Sequence, residues 1–174
     1  MMKYLFTTLC LIILVSCSNN QSLQEYLISK DKDANFKTMS VATDLLVPNI
    51  EELSTEEQAT LKKIKSINVA AMPTDSVNQV AYEKETRQVE TILENSTYQT
   101  LMKMNADDKG MNLLYIGNDI KIDEVVFYGK SKETGMLVAR LNSRDLKPND
   151  LAKLLSMADK LDMSQIENFS ENFK

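Results

Sequence analysis

The chain of 174 residues carries 25 Asp and Glu against 20 Lys and Arg, for a formal net charge of −5, and has two cysteines and no histidine. The missing imidazole excludes Ser-His and Cys-His nucleophiles and every zinc site that needs a histidine ligand. The acidic balance argues against nucleic-acid binding, which wants clustered Lys and Arg.

At the N-terminus Lys3 supplies one positive charge, and Leu5 to Val15 follows as an eleven-residue, mostly apolar run with no charged side chain. A helix needs about 20 residues to cross a bilayer. This run has instead the length of a secretory h-region, with Lys3 as its n-region charge. It ends in Leu14-Val15-Ser16-Cys17, which resembles the lipobox of bacterial lipoproteins. That resemblance implies cleavage before Cys17 and a lipid on the new terminal residue, an anchor that holds a protein to a membrane without spanning it. Residues 1–16 are then a signal peptide, 17–21 a lipidated tether and 22–174 a single α+β domain. Removing the peptide leaves 174 − 16 = 158 residues and, since Lys3 is its one charge, moves the net charge from −5 to −6. Cys10 is discarded and Cys17 acylated, so no thiol remains for a disulfide or a metal.

Ser22-Leu23-Gln24-Glu25 is a capping box, with Ser22 accepting from the N3 amide and Glu25 reaching back, and it predicts a helix to about Lys30. "DKDAN" from Asp31 begins like a calcium loop. However, Phe36 stands where glycine makes the turn and Ala42 where a bidentate glutamate belongs, so the stretch reads as a solvated polar linker. Ser54-Thr55-Glu56-Glu57 repeats the box and predicts a second helix over roughly 55 to 65. Ser66 to Met72 alternates, with Ile67, Val69 and Ala71 on one face, as a strand does, and Pro73 ends it. Asp75 or Ser76 caps a long helix to about Asn95, with Tyr82, Val89, Ile92 and Leu93 inside and Glu83 paired to Arg87 outside. Asn95-Ser96-Thr97 reads as the end of that helix.

All four glycines, Gly110, Gly117, Gly129 and Gly135, punctuate the β-rich runs Met111 to Ile116, Ile122 to Tyr128 and Met136 to Leu141. They predict a meander from Tyr98 to Asn142, with Asp107 to Gly110 as a hairpin turn. Pro148 and Asn149 open a helix with Leu151, Leu154, Leu155, Ala158 and Leu161 on one stripe, and Ser164 and Glu167 cap a last turn under Phe169. The fold class is α+β: an antiparallel four- to five-stranded sheet with helices packed on one face.

If Gly129 and Gly135 face each other across the last hairpin, Tyr128 opposes Met136, Val126 opposes Val138 and Glu124 opposes Arg140. The carboxylate and guanidinium would then pin the register. The alternate set, Val125, Phe127, Leu137, Ala139 and Leu141, is uniformly apolar and is expected to lie under the helices. Tyr128, Val126, Met136 and Val138 would then occupy the other face. Either residues 22–50 fold over them, or they form a binding face of the kind that exposed apolar surface marks.

The lipobox, "SLQEYL" from Ser22, "LKKIKSINVAAM" from Leu61, "YQTLMKM" from Tyr98 and "GMLVARL" from Gly135 together resemble small Bacteroidetes lipoproteins that share a domain of unknown function, DUF4252. The resemblance covers nearly the whole mature chain. It implies a cell-envelope location and a single domain, and it brings no activity or catalytic residues. Asp75-Ser76-Val77 also resembles the Asp-Ser/Thr-apolar acceptor pattern for O-glycosylation of exported Bacteroidetes proteins. Ser76 is thus a candidate acceptor, in competition with its cap role.

With no imidazole and no phosphate-cradling loop, paired carboxylates are the only acid–base chemistry left. Two readings follow. The preferred one is a non-catalytic cell-envelope lipoprotein that binds an envelope protein or ligand; the alternative is a carboxylate-dependent periplasmic hydrolase. A cleft with converging carboxylates would favour the enzyme, and a shallow, tyrosine- and methionine-lined sheet face would favour binding. No cofactor, metal or nucleic acid is expected, and the membrane is reached through the N-terminal lipid. Ser18 to Gln21 lacks the acidic residues that surface-exported relatives carry near the lipid, which points to the periplasmic side of the outer membrane.

Overall fold

The computed structural model describes residues 21–42, 50–74, 78–106 and 108–157. Its first helix, α1 (Leu23–Lys30), starts where the capping box predicts. Glu25 N–H donates to Ser22 Oγ at 3.2 Å and Ser22 N–H donates to Glu25 Oε2 at 2.9 Å, which satisfies two of the amides that a helix start leaves without partners. The same exchange between Ser54 and Glu57 opens α2 (Thr55–Leu61). α2 stops short of residue 65 because β2 (Ile64–Met72) already begins at Ile64. The long helix, α3 (Gln79–Leu93), buries Tyr82, Val89, Ile92 and Leu93, and Arg87 meets Glu83 on its outer face at 3.4 Å. Asn78 takes the N-cap position rather than Asp75 or Ser76, because the helix begins only at Gln79; those two residues themselves lie outside the described ones.

β3 (Gln99–Ala106), β4 (Lys109–Gly117), β5 (Ile122–Ser131) and β6 (Gly135–Leu146) form the expected meander, and α4 (Pro148–Ser156) follows it. The stripe positions Ala158 and Leu161, and the turn under Phe169, lie outside the described residues. One further strand, β1 (Lys37–Ala42), occupies part of the stretch read as linker. The sheet therefore has six strands, not four or five, in the order β1-β2-β6-β5-β4-β3, with every neighbouring pair antiparallel. β1 carries only Met39 and Val41 as large apolar residues and pairs on one side alone, so its alternation is too short to stand out.

The last hairpin departs from the expected register by two residues. Glu124 opposes Asn142, Val126 opposes Arg140, Tyr128 opposes Val138 and Lys130 opposes Met136. Gly129 sits inside β5 opposite Leu137, and the turn is made after Ser131, which pairs with Gly135. Gly135 answers a different demand. Its φ is +112°, and a Cβ there would stand 2.0 Å from the Met72 carbonyl oxygen, so only glycine lets β6 begin this close to the end of β2. A slip of two residues preserves the faces of the sheet where a slip of one would exchange them.

The helices pack on both faces rather than one. α1 and α3 cover the face of Val126, Tyr128, Met136 and Val138, where Leu23, Tyr26, Leu27, Phe36, Val89 and Leu93 complete the larger core cluster. α2 and α4 cover one end of the opposite face, with Leu61, Leu151 and Leu154 against Ile64, Val125 and Leu146. The long helix therefore lies on the side opposite to the one expected, because both faces of β5 and β6 are apolar and alternation alone does not rank them. Phe127, Leu137 and Ala139, expected under helices, are half-buried. Each fully buried large side chain contributes about 1.5–3 kcal/mol, so Tyr26, Tyr128, Val126 and Val138, all at 1 % exposure or less, hold the α1/α3 layer to the sheet.

Between these layers Lys30 and Glu85 are both buried and meet at 2.7 Å. Tyr26 Oη donates to the same Glu85 Oε2 at 2.9 Å, and the Lys30 ammonium stands 4.9 Å from the ring centres of Tyr26 and Phe36. The ion pair and the rings together tie α1 to α3 and to the entry of β1.

Candidate functional site

The α1/α3 face of the sheet is divided along its strands. Toward Met72, Met136 and Tyr128 it is apolar and covered. Toward the other end the inward positions are Ser40 on β1, Ser66 and Asn68 on β2, Arg140 and Asn142 on β6, and Glu124 on β5. One side of α1 borders a cleft of about 580 Å³, with Gln24, Leu27 and Ile28 as its helical wall and Ser40, Ser66, Asn68, Arg140 and Asn142 on its floor.

The floor is hydrogen-bonded across strands. Asn68 Nδ2 donates to Ser40 Oγ at 2.6 Å, and Asn142 Nδ2 donates to Ser66 Oγ at 3.2 Å and to Asn68 Oδ1 at 3.5 Å. Arg140 reaches diagonally to Glu124 Oε2 with Nε at 2.7 Å and a terminal nitrogen at 2.6 Å. The Tyr98 hydroxyl donates to the other carboxylate oxygen at 3.1 Å. Burial, and then the Glu124 charge, push that phenol well above its ordinary range, so it stays a donor at every physiological pH. Strand backbone fixes these groups, and a fixed set of donors and acceptors recognises a partner without having to be ordered first.

None of these groups is arranged as a nucleophile with its base. The hydroxyls of Ser40 and Ser66 accept from amides. Among the described residues the buried carboxylates are each held by a cation: Glu85 by Lys30, Glu124 by Arg140 and Asp150 by Lys63. Burial pushes Asp150 up, but the Lys63 ammonium and the Lys147 N–H outweigh it and hold the group below the ordinary carboxylate range. A general acid needs the reverse. Among the described residues no group of three or more His, Cys, Asp and Glu could hold a metal ion, and no helix is long and apolar enough to cross a membrane.

Residues 26–154 match the family described as Domain of unknown function (DUF4252). The chain belongs to this family. No curated protein and no solved structure matches it. The matched span of this DUF4252 chain runs from Tyr26 in α1 to Leu154 in α4, so it takes in the whole described sheet, both helical layers and every residue of the cleft floor.

Of the residues expected at a site, Val126, Tyr128, Met136 and Val138 are core and not an open binding face. They are 0–2 % exposed, because α1 and α3 lie over them. Cys17 and Ser76 lie outside the described residues. A methionine- and tyrosine-bearing surface does exist on the opposite side of the sheet, where Met39, Met111, Tyr115 and Phe127 are half-buried and Met102 and Met104 are exposed. The cleft floor itself went unread. Its signal is the repeated polar-x-polar step, Ser66-Ile67-Asn68 and Arg140-Leu141-Asn142, which continues the face of Val126 and Val138 with polar side chains.

Proposed function

We propose that this DUF4252 protein is a non-catalytic lipoprotein of the cell envelope. A lipid on Cys17 holds it at the periplasmic side of the outer membrane, and it works by binding a polar, extended segment of an envelope protein in the cleft beside Arg140. The observation that carries this reading is the cross-strand floor of Ser40, Asn68, Asn142 and Ser66, set beside the Arg140–Glu124 pair and opening at the edge strand β1. Amide and hydroxyl side chains offer both donors and acceptors, and the outer edge of β1 offers backbone groups that an extended segment can pair with. The hydrolase reading has less support, since Glu85, Glu124 and Asp150, the buried carboxylates among the described residues, are each paired with a cation.

The test places a benzophenone amino acid at Lys65, which lines the cleft, or at Val80, which is 84 % exposed on α3. Irradiation of intact cells should give a discrete adduct from position 65 that Asn68→Leu removes, and none of the same mass from position 80. Identical adducts from both positions, or none from position 65, would overturn the proposal.

A further inference from the structure

Ser40, Asn68 and Arg140 stand abreast on β1, β2 and β6 across the floor of the cleft beside α1. Two residues along the strands, Ser66 opposes Asn142 and Asn142 opposes Glu124. The Arg140 side chain leans toward this second row, because it reaches Glu124. Ser66 and Arg140 are thus diagonal neighbours on β2 and β6, about 7–8 Å apart and within reach of a long side chain.

The guanidinium is only partly spent. Nε and one terminal nitrogen both go to Glu124 Oε2, and the other terminal nitrogen has no partner among the described residues. The unpartnered side-chain atoms sealed from solvent there are Asn112 Oδ1 and the Tyr128 hydroxyl. The free Arg140 nitrogen is not one of them, so solvent reaches it. Glu124, in contrast, is buried, forms no part of the cleft lining, and has both oxygens taken, by Arg140 and by the Tyr98 hydroxyl. The pair therefore turns its positive end to the cleft.

The neighbouring groups add donors. Lys65 is exposed in the same lining and has no ion pair among the described residues. Ser66 accepts from the Asn142 amide and Ser40 from Asn68, and a hydroxyl that accepts keeps its own proton to give. Reversing both amides would turn these chains round but leave Arg140 and Lys65 as they are. The acid of the lining is Asp31, which follows α1 on the wall, whereas both cations stand on strands. An ammonium or guanidinium cannot accept from these donors. A neutral amide can, but a carboxylate takes the guanidinium and a hydroxyl on its two oxygens, and such charge-assisted bonds are roughly twice as strong as neutral ones.

Resting on the segment-binding function proposed above, we infer that the cleft selects an acidic segment: an Asp or Glu carboxylate of the partner accepts from the free terminal nitrogen of Arg140 and from Ser66. Lys65 adds positive charge at the rim.

The test is fluorescence anisotropy on the detergent-extracted full chain with three labelled octapeptides, in which threonine alternates with aspartate, asparagine or lysine. The aspartate peptide should bind saturably and about tenfold tighter than the asparagine one, the worth of one charge-assisted hydrogen bond, and the lysine peptide most weakly. Raising NaCl from about 0.1 to 1 M, which shortens the screening length from about 10 to 3 Å, should shrink that preference. Inorganic phosphate should displace the aspartate peptide no better than NaCl of equal ionic strength. Arg140→Met with Glu124→Leu should remove the preference and keep the asparagine peptide's binding, while Lys65→Gln should reduce the preference only in part. Equal binding of the aspartate and asparagine peptides, lost in Asn68→Leu, would overturn the acidic selection and leave the polar-segment function standing. A preference that survives Arg140→Met with Glu124→Leu, or displacement by phosphate beyond the NaCl control, would also overturn the inference. No binding of any peptide would overturn both.

Discussion

Arg140 and Glu124 do not face each other across β5 and β6, yet the guanidinium holds the carboxylate through two nitrogens at 2.7 and 2.6 Å. The contact is diagonal, and both side chains are largely buried, at 14 % and 9 % exposure. Removing one partner of such a pair strands the other charge, which costs about 3–5 kcal/mol, whereas replacing both with apolar groups is often neutral or better. Glu124→Leu should therefore lower the urea midpoint sharply, and Glu124→Leu with Arg140→Met should recover most of the loss. Simple addition of the two single losses would contradict a coupled pair.

Deleting residues 22–50 removes α1 and β1 and uncovers Tyr26's partners in the core, among them Val126, Tyr128, Met136 and Val138. The remainder should aggregate or bind a hydrophobic dye, as exposed contiguous apolar surface does. A soluble remainder with no dye binding would show that α1 is dispensable to the core.

The elements with end signals were legible before the structure. Both capping boxes, the alternation of β2, the Pro148 start of α4 and the glycine-punctuated meander lie where sequence places them, because each rests on a local physical demand. What depended on a choice between near-equals was not legible. β5 and β6 are apolar on both faces, so nothing local decides which face takes α3. Gly129 and Gly135 both look like hairpin punctuation, although one is an ordinary strand residue and the other relieves a close approach to Met72. The cleft floor was missed for a related reason. Ser66, Asn68 and Asn142 read as the polar side of a half-exposed sheet until the helices are seen to lie on that side.

The two glycines give a direct contrast. Gly135→Ala must place a Cβ against the Met72 carbonyl at a positive φ, and backbone strain of this kind costs about 1–3 kcal/mol before any clash. At Gly129 the new Cβ meets only the Phe127 ring, at 3.3 Å, and alanine in an element interior gains about 0.5–1 kcal/mol over glycine. Thermal melts should show a fall of several degrees for the first and no fall for the second. Equal effects would mean that the approach of β6 to Met72 is not what glycine serves at position 135.

Asp150 makes stability depend on acid. Lys63 Nζ lies 2.5 Å from its Oδ2, and the Lys147 N–H donates to the same oxygen at 2.8 Å. With its pKa held below the unfolded value of about 3.9, Asp150 contributes stability that is present above that value and lost as pH falls through the folded one. Urea midpoints should therefore differ between wild type and Asp150→Asn at neutral pH, with the wild type higher. The gap should close as the solution is acidified below about pH 4. A gap that is constant with pH would remove Asp150 from the acid response.

Fatty-acid labelling tests most directly the proposed anchoring of the chain at a membrane through Cys17. Cells expressing the full chain or its Cys17→Ser variant are grown with radiolabelled palmitate and then fractionated. The wild type should carry the label and sediment with the outer membrane, while the variant should carry none and leave the membrane fraction. Equal labelling of the two, or an unlabelled wild type in the soluble fraction, would contradict the account.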